Sequence, residues 1–94
     1  MIIRVVKMAF REDTVNLFIE IFNQTRQAIE QFEGCRSVEL MKDANTKDQY
    51  FTLSRWETEE DLQNYRDSYL FKSTWAKVKP LFLHQAEAWS LKHL

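Results

Sequence analysis

The first predicted strand of this chain is apolar on both of its faces. Residues 2–10 read IIRVVKMAF, a segment rich in β-branched residues. Successive side chains of a strand point to opposite sides of the sheet, and here both alternating sets are apolar. Both faces of the resulting sheet must therefore be covered. A chain of 94 residues can cover one face with its own helices, so we expect a second copy of the chain to cover the other.

Two amphipathic segments supply the helices. Residues 15–32 carry apolar side chains at helical spacing, and the chain's only glycine, Gly34, is expected to end this helix with a positive φ. The second segment begins after Thr58, which suits an N-cap, and ends near Pro80. A bend is expected at Ser68, where the apolar stripe shifts its phase.

Three more strands are predicted from alternating apolar residues, and the polar sequence DANTKD joins the first two as an antiparallel hairpin. They span residues 35–42, 49–57 and 83–92. The order β-α-β-β-α-β predicts an α+β fold of the ferredoxin-like type, with a four-stranded antiparallel sheet and two helices on one face. In the third strand we expect Phe51 and Leu53 to face the core together with Val38, and a more polar line to face the other way.

The charge balance argues against a nucleic-acid partner. Thirteen basic and fourteen acidic residues give a net charge of −1, whereas nucleic-acid binding needs a basic face. An RNA-recognition fold has the same strand order, but it needs a basic, glycine-bearing motif on the third strand, and QYFTLSRW has no glycine.

The one cysteine and two histidines of the chain indicate a reducing compartment and predict no metal site. The single Cys35 rules out an internal disulfide and suits the cytoplasm. It has no metal-ligand spacing to His84 or His93, so no metal site is expected. No export segment is expected, and no apolar run approaches the roughly 18 residues of a membrane span, so no membrane partner is expected.

Three short motifs resemble those of a known family. They are Phe32-Glu33-Gly34-Cys35, the RWETEEDL sequence of residues 55–62, and Asp67-Ser68-x-x-Phe71. With the element order and chain length, they make the whole chain, residues 1–94, similar to one domain of the antibiotic biosynthesis monooxygenase family of dimeric α+β barrels. The resemblance implies a homodimer that packs through its sheets. It also implies oxygenation or oxidation of electron-rich aromatic compounds, such as anthrones and quinols, without metal or flavin.

The chain departs from this family at its usual acid–base residues. Many members carry histidine at the position of Tyr65, and often another at Leu70. A related branch that degrades haem needs an axial histidine at the position of Trp75, and tryptophan cannot ligate iron. Haem degradation is therefore not expected.

Seven residues are candidates for a site, and each also has an ordinary structural interpretation. Tyr65 could donate a hydrogen bond or, with a lowered pKa, accept a proton; a half-buried helix tyrosine is the alternative. His84 is the remaining acid–base candidate, or else an exposed residue at a strand start. Arg55 could bind an anionic group, or pair with Glu39 or Glu87. The other four could line an aromatic pocket or simply belong to the core: Phe22, Trp56, Phe71 and Trp75.

Two functions remain open on these residues. The first is a homodimeric, cofactor-independent monooxygenase or oxidase of a small aromatic or quinol-type compound. The second is a non-catalytic dimeric module that binds a small ligand or a protein partner, which the missing histidines favour. A solvent-reachable cavity of a few hundred Å³ between helices and sheet would favour the enzyme.

Overall fold

A computed structural model describes all 94 residues of the chain. It contains a four-stranded antiparallel sheet and three helices on one side of it. The strands are β1 (Ile2–Ala9), β2 (Cys35–Lys42), β3 (Gln49–Trp56) and β4 (Glu87–Leu91), in the spatial order β2-β3-β1-β4. The helices are α1 (Val15–Glu30), α2 (Glu59–Arg66) and α3 (Tyr69–Val78). The ferredoxin-like prediction is confirmed.

The second predicted helix is two helices that meet at Ser68. The Ser68 hydroxyl accepts a hydrogen bond from the Phe71 amide at 3.1 Å and donates one to the Tyr65 carbonyl at 2.5 Å. It therefore caps α3 and at the same time satisfies a carbonyl at the end of α2. Thr58 caps α2 as predicted, accepting from the Asp61 amide at 3.0 Å. The bend at Ser68 is confirmed, and the expected two helices become three.

Gly34 has the expected positive φ, at 84°. A second structural feature also requires glycine at this position. Helix α1 already ends at Glu30, four residues earlier. Gly34 instead lies against α2, where a Cβ atom on it would be only 2.3 Å from Asp61 Cγ. The glycine thus serves both a left-handed backbone and a close approach of β2 to α2.

The sheet register corrects the expected orientation of β3. Val38 pairs with Ser54, and Arg4 on β1 pairs with the same Ser54. Paired residues lie on the same face, so Val38 shares its face with the even-numbered residues of β3 and not with Phe51 and Leu53. The line of mixed polarity is therefore the one that faces the helices: Tyr50, Thr52, Ser54 and Trp56.

Two groups of buried side chains hold the helices on the sheet. The larger one is built around Met8, Phe10 and Phe18, with Phe10 and Phe18 stacked at 4.2 Å between ring centroids. The smaller one consists of Ile2, Trp56 and Leu62, which are all buried. Tyr65 packs against both groups.

The other side of the sheet carries no helix, and we call it the open face. Val5 pairs with both Leu53 and Trp89, which places one apolar side chain from each of three neighbouring strands in a row. Trp89 and Leu91 remain 43% and 48% exposed. The open face also includes Ile3, Met41 and Phe51. None of the helices has the length and apolar character needed to cross a membrane.

Candidate active site

A cavity of about 340 Å³ lies between the helices and the sheet. Its lining is mostly apolar and comes from all three helices and all four strands or their flanks. The lining includes Arg4, Thr52, Ser54, Tyr65, Arg66, Phe71, Trp75 and Glu87, with Phe22 from α1. The volume lies within the range of small-molecule sites, roughly 300–1,000 Å³. Four of the seven candidate residues line it: Phe22, Tyr65, Phe71 and Trp75.

Tyr65 is held by aromatic rings on three sides. Its ring stacks on Trp56 with centroids 4.8 Å apart, and it meets Phe32 and Phe71 edge-on at 5.4 Å and 5.3 Å. No protein group hydrogen-bonds to its hydroxyl, and every fully buried polar side-chain atom of the chain has a partner. The hydroxyl is therefore open to the cavity, where it can donate to a ligand oxygen.

Burial, and to a smaller extent the nearby Cys35, raise the pKa of Tyr65 to about 12. A phenol with this pKa stays protonated at neutral pH. Of the two roles considered for Tyr65, the hydrogen-bond donor fits this environment, and the proton acceptor with a lowered pKa does not.

Phe71 and Trp75 form one aromatic wall of the cavity. They lie one helical turn apart on α3, and their rings stack at 5.8 Å with an angle of 10° between planes. Trp75 also contacts Phe82 edge-on at 5.4 Å. Such a wall can receive a planar aromatic ligand by stacking.

The structure does not bring the other three candidate residues to the cavity. Trp56 is completely buried beneath Tyr65, and its Nε1 donates to Ser54 Oγ at 3.0 Å, so it supports the site without lining it. Arg55 lies on the open face and pairs with Glu39 at 3.0 Å, which is the alternative given for it above. His84 is exposed in the bend that precedes β4, since β4 begins only at Glu87.

Two arginines that the sequence analysis did not single out line the cavity. Arg4 lies on the helix-facing side of β1, and its Nη1 donates to Ser90 Oγ at 3.0 Å. Burial lowers the pKa of the Arg4 guanidinium, and the positive charge of Arg66 lowers it further. Arg4 shares its parity with Val6 and Met8, which pack in the core, but the other parity of β1 is also apolar, so the sequence alone did not single out Arg4.

Comparisons with known proteins agree with this architecture. The family model described as antibiotic biosynthesis monooxygenase matches residues 1–77. A candidate antibiotic biosynthesis monooxygenase from Nitrosomonas europaea superposes with a TM-score of 0.91 at 12% identity, over 100% of this chain and 99% of that one. Another from Caulobacter crescentus gives 0.92 at 16% identity, over 99% and 89%.

A structure from Mycobacterium tuberculosis gives a TM-score of 0.90 at 18% identity, over 99% of this chain and 94% of that one. No curated protein matches the chain. At these identities the superpositions show the shared fold, and the family model shows the relationship by sequence. The chain belongs to the antibiotic biosynthesis monooxygenase family.

Proposed function

We propose that this protein is a cofactor-independent oxygenase or oxidase of a small aromatic or quinol-type compound. The observation that carries the proposal is the cavity of about 340 Å³ in which the free hydroxyl of Tyr65 lies beside the Phe71 and Trp75 wall. Family membership supports a monooxygenase-like role in general. The aromatic or quinol-type class of substrate is what the family resemblance implies, and the aromatic lining of the cavity supports it.

Tyr65 would act as a hydrogen-bond donor to an oxygen of the substrate. Because its pKa is raised to about 12, the phenol keeps its own proton while the substrate releases one to solvent. A hydrogen bond to the charged form of a group stabilises that form. The contact would therefore favour the hydroquinone anion or the enolate of an anthrone, the electron-rich species that can reduce dioxygen.

The reaction balances without a further reductant. An oxidase would convert a hydroquinone and O₂ into a quinone and H₂O₂. A monooxygenase would convert an anthrone and O₂ into the anthraquinone and water, with one atom of the O₂ in each product. The residues of the cavity bind and orient the ring and exclude water from it. His84 has no part in this proposal, because it lies outside the cavity.

A homodimer is part of the proposal. The open face places Val5, Leu53 and Trp89 in one apolar row, and no element of the chain covers it. Packing two such faces together would bury this row on both copies and complete a two-sheet barrel. The free thiol of Cys35 is in keeping with a cytoplasmic location.

Oxygen uptake tests the catalytic proposal. The wild-type protein should consume oxygen with at least one member of a panel of anthrones and hydroquinones, faster than buffer does. Tyr65→Phe should lower the rate by roughly tenfold or more, since a hydrogen bond to a charged group contributes about 1.5–3 kcal/mol. Tyr69→Phe is the matched control, because Tyr69 is 86% exposed. Wild-type rates equal to buffer across the panel would contradict the proposal.

A non-catalytic ligand-binding module is the second candidate. It is favoured by the absence of histidine from the cavity lining, whose one carboxylate, Glu87, is paired with Lys7. Ligand binding measured by calorimetry, without oxygen uptake, would support this candidate over the enzyme.

A further inference from the structure

We propose that the ligand of this cavity carries a carboxylate, which binds between the guanidinium groups of Arg4 and Arg66. The inference rests on the proposed function only in taking the cavity as the ligand site. It names a chemical class within the aromatic compounds considered above: aromatic or quinol-type acids.

The six arginines of the chain differ in whether they form an ion pair with a carboxylate. Four of them form ion pairs with carboxylates on the surface: Arg11, Arg26, Arg36 and Arg55. Arg4 and Arg66 form none, and these two are the arginines that line the cavity. The protein thus has two unneutralised guanidinium groups at one site.

Arg4 is the more deeply placed of the two. It lies on the central strand β1, between β3 and β4, and is only partly accessible. Its one side-chain partner is the neutral Ser90 hydroxyl. A guanidinium has five N–H donors, so most of those on Arg4 remain free for a ligand.

Arg66 approaches from the helical layer. It is the last residue of α2 and directly follows Tyr65, the residue with the free hydroxyl. Arg4 and Arg66 line the same cavity, where their like charges repel; burial first, and this repulsion second, lower the pKa of Arg4. An anion between them would remove this repulsion and restore part of the solvation that Arg4 loses on burial.

The acidic residue that borders the cavity does not neutralise these arginines. Glu87 pairs across the sheet with Lys7, and its Oε1 lies 3.9 Å from Lys7 Nζ. Lys7 has the opposite parity to Arg4, so this pair belongs to the open face. The remaining polar lining residues are neutral: Thr25, Thr52, Ser54, Tyr65 and Thr74.

The chemistry of the two arginines selects the ligand group. Guanidinium groups bind carboxylates through two parallel, charge-assisted hydrogen bonds. With the acid group held by Arg4 and Arg66, the ring attached to it would lie against Tyr65 and the wall formed by Phe71 and Trp75. The site would then bind the carboxylate at one end through the two arginines and the aromatic ring at the other end by stacking.

Calorimetric titration with two unreactive probes tests the inference. 2-Naphthoate and 2-naphthamide have the same ring and similar shape, and they differ in charge. We expect the wild-type protein to bind the carboxylate at least about tenfold more tightly than the amide, and the preference to shrink as sodium chloride is added. Arg4→Gln and Arg66→Gln should each reduce the preference, and the double variant should abolish it.

Two further variants serve as controls. Arg36→Gln removes an exposed arginine that pairs with Glu57, and should leave the preference unchanged. Arg4→Lys keeps the charge but loses the two parallel donors, and should retain part of the preference. If a variant does not fold, the decrease of the wild-type preference with added sodium chloride still tests whether the protein binds the carboxylate through its charge.

Three results would overturn the inference. They are equal affinity for the two probes, a preference that persists in the double variant, and no binding of either probe. Equal affinity would leave the aromatic cavity of the proposed function intact. Oxygen uptake with neutral hydroquinones tests the proposed oxidase or oxygenase function separately.

Discussion

Tyr65 stacks on Trp56 with ring centroids 4.8 Å apart and 25° between the ring planes. Trp56 is completely buried and anchored by its hydrogen bond to Ser54, so it forms a fixed support for the tyrosine. The one phenol in the cavity therefore has little freedom to turn away from a ligand. The sequence motif around Trp56 contributes to the site through this support and not through direct contact with a ligand.

The raised pKa of Tyr65 predicts a distinct alkaline titration. Burial and the nearby Cys35 raise the pKa of Tyr65 from 10 to about 12, so Tyr65 should ionise late when tyrosinate absorbance is followed against pH. Tyr65→Phe should remove this late component, and Tyr69→Phe should leave it in place. A late component that survives Tyr65→Phe would contradict the assignment.

The same shift predicts a loss of stability at high pH. The unfolded chain releases the tyrosine proton above pH 10, whereas the folded chain holds it until about pH 12. The stabilisation is therefore complete below pH 10 and is lost as the pH rises towards 12, by about 3 kcal/mol from this group. Urea unfolding measured across this range should show a shallower decline for Tyr65→Phe than for the wild-type protein.

Gly34→Ala should destabilise the fold by about 1–3 kcal/mol, because the φ of 84° disfavours a side chain and the new Cβ would clash with Asp61. Thermal or urea unfolding measures the loss. Glu33→Ala, at the neighbouring exposed position, is the control and should change stability little. Equal stability of the wild-type protein and Gly34→Ala would show that α2 can move away from the glycine.

Ser68→Ala should weaken the junction of α2 and α3. It removes the cap of α3 and the hydrogen bond to the Tyr65 carbonyl, which we expect to lower the free energy of unfolding by about 0.5–2 kcal/mol. Ser73→Ala is the matched control within α3, because the Ser73 hydroxyl only donates back to the Leu70 carbonyl. If both variants lose the same amount, the loss does not come from the cap.

Leu53→Asp should prevent dimerisation. It would place a carboxylate in the apolar row formed by Val5, Leu53 and Trp89 on the open face. Light scattering should give the wild-type protein twice the chain mass of 11.4 kDa and the variant the mass of one chain. Leu17→Asp, at a half-exposed position on α1, is the control and should remain dimeric. A wild-type mass of one chain at micromolar concentration would contradict the dimer.

The order of the elements, the cap of α2 and the bend at Ser68 followed from the sequence, whereas the end of α1 at Glu30 and the division of the second helix into two did not. The helical spacing of residues 15–32 and the capping residues Thr58 and Ser68 are local signals, because each acts within a few residues of itself. The family also followed from the sequence, since its motifs lie in the same short segments. These features do not depend on which distant residues meet.

The face of each strand was decided only in the tertiary structure. β1 and β3 carry apolar residues on both parities, so their local pattern cannot say which side meets the helices. Arg55 was considered for the ligand and lies on the open face, whereas Arg4 lines the cavity. Arg4 pairs with Ser54, and Ser54 pairs with the buried Val38. This register places Arg4 on the helix-facing side of the sheet and Arg55 on the open face.

The sequence by itself thus determined the fold, the family and the cap of α2 at Thr58. The tertiary structure decided that Arg4 and Arg66 border the same cavity and that Tyr65 rests on a buried Trp56. The physical reason is the distance along the chain over which each interaction acts. Secondary structure and capping depend on neighbours along the chain, but the composition of a cavity depends on strand register and helix packing, which join residues far apart in sequence.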